Sequence, residues 1–259
     1  GALDMGLAPG ILPGRTRLDQ PSPALSANWN TVPTTKGLNT TEMLRAAASG
    51  DLDTLILVGA DPLSDFPDRN LAAEAIQKVK TLIAVDTFIT DSVAQADVVL
   101  PATAYGEQGG TTTNIEGRIS RLTQKITATG SARDDWMIAT ELAWRLGGDL
   151  RLGSKEEIWR EIEQVAPSHS GVTLERVESS EAHEGILVQR SSIELDLPAP
   201  GTPPVADGYG LRLVSGRKLW DAATTTTYSP SLQPLAEAAA LRVHPNDLQR
   251  LGISSGTDV

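Results

Sequence analysis

Two short polar segments sit where an α/β protein could hold a ligand. Gly59-Ala60-Asp61-Pro62 follows the apolar run 54–58, and Asp86-Thr87-Phe88-Ile89-Thr90 follows the run 81–85. A glycine at a strand end lets a nucleotide approach the backbone, and a carboxylate there accepts hydrogen bonds from sugar or base donors. Gly59, Asp61, Asp86 and Thr90 are therefore candidate ligand residues. The same residue types have plain structural uses: Asp-Pro is a common turn, and Asp86 or Thr90 would cap a following helix. A third segment, 107–118, joins glycines, hydroxyls and Asn114 in a loop. It reads either as a cradle for an anion or as a loop whose Asn114, Glu116 and Arg118 tie it to itself.

Other chemistries lack their residues. The chain has no cysteine, so any iron–sulfur or thiolate–zinc centre must lie outside it. His169, His183 and His244 stand in separate segments without the spacing of a metal site, and read as surface or packing residues. Nucleophile elbow, Walker loop and His-Glu-x-x-His motifs are absent, and Gly59-Ala60-Asp61-Pro62-Leu63-Ser64 does not supply the Gly-x-Gly-x-x-Gly turn of a generic dinucleotide-binding domain. Acidic residues outnumber basic ones by 11 in 259, which argues against nucleic acid and anionic lipid as partners. The longest apolar runs fall far short of the roughly 20 residues that cross a bilayer, so no direct membrane insertion is expected.

The elements that must position the candidate residues follow a strand–helix alternation. Residues 1–36, rich in Pro and Gly, read as a connector. From 37 to 165 the order runs as a helix opened by an Asn39/Glu42 capping box and stopped at Gly50, a buried strand at 54–58, a helix at 70–79, a strand at 81–86, a short helical stretch at 93–96 and a strand at 97–100. Two helices follow, starting near Asp134 and Ser154. This order predicts an α/β, doubly wound, mostly parallel sheet with helices over both faces. Residues 166–208 read as a variable linker or excursion. Residues 209–259 begin a new unit, with strands near 211–214 and 241–243 and a helical turn at 246–251. Both ends suggest a cut from something longer: the start lacks an initiator Met, and the finish falls where a further strand would open.

The polar segments, taken in order, resemble the molybdopterin oxidoreductase superfamily. Its members share Gly-x-Asp/Asn-Pro, Asp-x-Phe-x-Thr, Ala-Asp-Val-Val-Leu-Pro and Glu-x-x-Gly-Thr-x-x-Asn. Here these are Gly59 to Pro62, Asp86 to Thr90, Ala96 to Pro101 and Glu107 to Asn114, and Arg133-Asp134-Asp135-Trp136 and Gly1-Ala2-Leu3-Asp4-Met5-Gly6 add to the match. The loop ends Asn114-Ile115-Glu116-Gly117-Arg118, similar to the large iron–sulfur subunits of bacterial NADH-quinone oxidoreductases, where catalytic formate dehydrogenases tend to carry Glu-Arg-Arg.

That resemblance implies a scaffold region of an electron-transferring complex, respiratory complex I, with no catalytic residue and no cofactor bound by this segment. The iron–sulfur clusters would be held by cysteines in the region before it. Gly59, Asp61, Asp86 and Thr90 would mark a vestigial pterin-nucleotide pocket. Residues 209–259 would be the start of the superfamily's C-terminal β-barrel domain, cut short. Partners would be other subunits of the peripheral arm, on the cytoplasmic side of the bacterial plasma membrane. The alternative is a catalytic molybdenum or tungsten bis-pterin oxidoreductase of the formate dehydrogenase type.

Overall fold

The computed structural model describes residues 1–179, 183–189, 192, 202, 205, 210–216 and 223–258. The chain divides into two compact units, Gly1–Pro198 and Ala199–Val259. In the first, the elements are β1 (Ile11–Leu12), β2 (Thr16–Arg17), α1 (Pro23–Asn28), α2 (Thr40–Ser49), β3 (Thr54–Val58), α3 (Pro62–Asp65), α4 (Arg69–Lys78), β4 (Thr81–Asp86), β5 (Val98–Pro101), β6 (Gly110–Thr113), β7 (Arg118–Leu122), α5 (Asp135–Arg145), α6 (Lys155–Val165), α7 (Leu174–Glu178) and β8 (Ile186–Leu187). The second unit carries α8 (Thr224–Thr227) and α9 (Pro245–Leu251). In its described residues 211–216 and 241–243 form no strand, so the strands expected near 211–214 and 241–243 are not found, and neither is a strand at 253–258.

The central layer is a parallel sheet in the order β3-β4-β5, with Leu57 opposite Ala84 and Ala84 opposite Val99. Local signals set the flanking helices. Asn39 Oδ1 accepts from Glu42 N while Asn39 N donates to Glu42 Oε2, which closes the capping box of α2, and Gly50 ends the helix in the left-handed conformation. Asp68 caps α4 by accepting from Leu71 N at 3.0 Å. Both helices lie on one face: Leu44, Ala47, Ala72, Ala75 and Ile76 form a closed core with Leu55, Leu57 and Leu82.

The opposite face differs from the expectation of helices over both faces. α5 covers its carboxyl end, where Ile138 packs with Val85 and Ala102, but Ile56, Val58 and Val98 remain 51%, 63% and 44% exposed. The reason lies in the connections. The link from β3 to β4 spends its helix α4 on the first face, and the link from β4 to β5 holds only a single 3₁₀ turn, Val93–Gln95, whose neighbour Ala96 packs on that same first core.

Residues 1–36 carry elements of their own. The β1-β2 hairpin and α1 pack against α6, with Leu12, Leu25 and Val165 buried together. Ser22 Oγ caps α1 and donates to Val165 O, and Trp29 Nε1 donates to Glu161 Oε1 at 2.9 Å. Gly14 makes the approach possible: its φ is +76°, and a Cβ there would lie 2.4 Å from Pro167 Cδ. The segment expected as a loop at 107–118 is instead largely an antiparallel hairpin, β6 against β7, extended by β8. Ile119 from β7 is fully buried with Trp159, Val172, Val177 and Val188.

Candidate functional site

Parallel strands deliver their carboxyl ends to one edge, so the order β3-β4-β5 gathers Gly59, Asp61, Asp86 and Thr103 there. The four expected ligand residues fare differently. Asp61 and Ser92 are buried, and Asp61 Oδ1 accepts from Ser92 Oγ at 2.5 Å and from Ser92 N at 3.2 Å. Ser92 Oγ in turn accepts from Leu63 N at 3.0 Å, which binds the turn after β3 to the turn after β4. Thr90 is also buried; its Oγ1 accepts from Val93 N and its carbonyl from Ala94 N, so it starts the 3₁₀ turn. These two side chains act as fasteners.

Gly59 and Asp86 are more open. Gly59 is exposed with φ of +56°, and a Cβ added there meets nothing within 4 Å, so the glycine is required by its dihedral angle and leaves room above the strand end. Asp86, half-buried, accepts from Phe88 N at 3.1 Å. Beside it stand Asp134 and Asp135 at the start of α5. Burial pushes the Asp135 carboxyl up, and the negative charges of Asp134 and Asp86 push it further.

Three residues at this edge were not singled out as functional in the sequence. Lys155, at the start of α6, pairs with Asp134 Oδ2 at 2.6 Å, and Thr103 Oγ1 donates to Asp134 Oδ1 at 3.2 Å. Thr87 Oγ1 reaches Thr103 O at 3.4 Å. The acidic pair at 134–135 was legible as a helix start, and only the parallel register reveals that it shares an edge with Asp86. In the hairpin, Asn114 Oδ1 accepts from Arg118 N and Glu116 Oε2 accepts from Arg118 Nε, so the segment is tied to itself.

Elsewhere, His169 is buried, edge-on to Trp159 with ring centroids 5.9 Å apart, and its Nδ1 lies 2.9 Å from Ser168 Oγ. Burial holds its imidazole below its ordinary value, and the nearby negative charge of Asp4 partly opposes this. Asp4 is itself buried, and its Oδ1 accepts from Arg15 Nε at 2.7 Å. Among the described residues no group of three or more His, Cys, Asp or Glu could hold a metal ion.

Residues 10–145 match the molybdopterin oxidoreductase family, more than half of the chain, and the chain belongs to that family. It is 31% identical over 260 residues to the NADPH-Fe(3+) oxidoreductase subunit alpha of Geobacter sulfurreducens, covering 100% of this chain and 30% of the relative. It is 30% identical over 271 residues to an NADH-quinone oxidoreductase subunit of Rhizobium meliloti, covering 100% of this chain and 30% of that protein. With the F420-dependent formate dehydrogenase 1 subunit alpha of Methanococcus maripaludis it shares 29% identity over 98% of this chain and 41% of the relative. The chain thus spans 30% to 41% of the length of these relatives. Redox chemistry and membership in a multi-subunit oxidoreductase are common to them, and this chain has a mixed α/β fold with a parallel sheet.

The family's pterin cofactor can be tested against these residues. Its phosphates need cations or free N–H donors. At this edge Asp86, Asp134 and Asp135 are carboxylates, the Lys155 ammonium is paired with Asp134 and the Arg133 guanidinium with Glu141, and Asp61 and Thr90 are occupied by backbone and Ser92. Gly59 leaves space and Asp86 could accept from a base, but the set does not fit a phosphate-bearing pterin nucleotide.

Proposed function

We propose that the chain is the molybdopterin-oxidoreductase-like scaffold region of the large iron–sulfur subunit of a proton-pumping NADH-quinone oxidoreductase. In this reading the whole complex passes electrons from NADH to quinone, through clusters held outside this chain. This region contributes a rigid body and interface area to other subunits of the peripheral arm, on the cytoplasmic face of the plasma membrane. It needs no membrane span of its own; no described helix is long and apolar enough to cross a bilayer. Residues 209–259 are proposed as the start of a C-terminal barrel domain completed outside the chain, and residues 1–36, 37–165 and 166–208 as connector, α/β domain and excursion.

The observation that carries the proposal is the closing of Asp61 and Thr90 onto Ser92 and Val93. Residues in the family's ligand positions here serve the fold. Alignment of the whole chain with the Rhizobium quinone oxidoreductase protein at 30% identity supports the choice of complex. Electron tunnelling depends on fixed separations between cofactors, so close packing such as the sealed core under α2 and α4 is what such a region would supply.

A second reading, the catalytic molybdenum or tungsten enzyme of the formate dehydrogenase type, is favoured by the 29% identity to a formate dehydrogenase over 98% of the chain. Metal analysis of the purified full-length protein separates the two. The scaffold reading expects molybdenum and tungsten at background; a stoichiometric amount of either overturns it.

A further inference from the structure

A cavity of about 360 Å³ lies between α5 and the end of β5, lined in part by Pro101, the register partner of Asp86. Leu100, Ile138 and Leu142 form an apolar floor, and Arg133, Glu141 and Arg145 stand around it. The spacing Ile138, Glu141, Leu142, Arg145 places these side chains on one side of the helix, while Leu100 and Arg133 come from β5 and the segment that bridges its extension at Ala102.

The charge at this cavity is unlike that of the chain. One carboxylate serves two guanidiniums: Glu141 Oε1 accepts from Arg145 Nε at 2.9 Å and Nη2 at 2.7 Å, and Glu141 Oε2 accepts from Arg133 Nη1. The Arg145 and Arg133 guanidiniums hold the Glu141 carboxyl below its usual range, so it stays ionised at neutral pH. The local sum is therefore one positive charge, in a chain whose net charge is −11. Each guanidinium carries five N–H donors, and Glu141 takes one from Arg133 and two from Arg145, which leaves donors on both for a second oxyanion.

We propose that this cavity binds a small amphipathic carboxylate, with its head on Arg133 and Arg145 and its alkyl body on Leu100, Ile138 and Leu142. At about 30 Å³ per water-sized group, the volume admits a ligand of roughly a dozen non-hydrogen atoms, the size of a medium-chain acid. The apolar floor sets the preference for chain length, and the paired arginines set the preference for an anion over a neutral analogue. Glu141 keeps the two guanidiniums in place and limits the charge the site accepts to a monoanion.

The test is a titration of the purified protein with acetate, butanoate, hexanoate and octanoate, and with hexan-1-ol, read from the NMR resonances of the Arg133 and Arg145 side chains and by calorimetry. Burial of apolar carbon predicts that affinity rises by about threefold per added methylene up to octanoate, and that hexan-1-ol binds at least about tenfold more weakly than hexanoate. Arg133→Gln with Arg145→Gln, both on exposed side chains, lowers octanoate affinity by about tenfold or more at unchanged melting temperature. Ser131→Trp, on an exposed lining residue, blocks the cavity by bulk and abolishes binding without touching the arginines. Equal affinity for acetate and octanoate, hexan-1-ol binding as well as hexanoate, unchanged affinity in the double variant, or no saturable binding of octanoate overturns the proposal.

Discussion

The carboxyl edge of the parallel sheet has two halves, and they use the same kinds of side chain in opposite ways. At one half Asp61, Ser92 and Thr90 are buried, and their polar atoms are spent on each other and on backbone N–H groups. At the other, burial and the negative charges of Asp134 and Asp86 raise the cost of ionising Asp135, and the Lys155 ammonium pairs with Asp134. A carboxylate that accepts two hydrogen bonds in a closed site stabilises the fold; carboxylates that crowd one another do not. The difference shows why a motif at a strand end says little about ligand binding until its hydrogen bonds are known.

Substitutions should split along this line. The largest effect is expected at Asp61→Ala, which leaves the Ser92 hydroxyl and amide without their acceptor in a buried site. A loss of about 1–3 kcal/mol in denaturant unfolding follows, whereas an Asp61 kept for a ligand would leave stability unchanged. Thr90→Val keeps the shape and removes the acceptor of Val93 N, with an expected loss of about 1 kcal/mol. A loss as large as that of Asp61→Ala would show that the two fasteners are one unit, which a double-mutant cycle resolves.

On the crowded side the sign reverses. Asp86→Asn removes a like charge beside Asp135, and a small gain or no change in stability at neutral pH is expected. Asp135→Asn has a pH signature. The folded state holds the Asp135 proton more tightly than the unfolded chain does, so the wild-type carboxyl favours folding below the unfolded value of about 3.9, and this contribution is lost as pH rises through the raised folded value. The Asn variant is therefore the more stable protein at pH 7, with the advantage shrinking as the pH is lowered through that window. An advantage of equal size at low and neutral pH would remove the charge crowding from the account.

The legible part of this molecule is its local part. Asn39, Glu42 and Gly50 announce α2 because a cap is decided within four residues, and the runs 54–58 and 81–85 announce strands by their length and apolar composition, although β3 buries only alternate residues. What stayed hidden depends on distant partners. Ser22 meets the carbonyl of Val165, 143 positions away, so the Pro-rich start looked like a connector. Gly110 to Thr113 has no alternation to mark a strand and becomes one only against β7. Of the candidate site, residue positions at strand ends were readable; that Asp61 would be closed by Ser92, 31 positions on, and Asp134 joined by Lys155, was not.

The most direct test of a structural role for this edge is the turnover of the assembled full-length enzyme carrying Asp86→Asn and Asp135→Asn together. In the proposed NADH-quinone oxidoreductase, NADH-dependent quinone reduction per assembled complex should equal that of the wild type. Turnover lost in a complex that assembles normally would contradict the account and return these carboxylates to the chemistry.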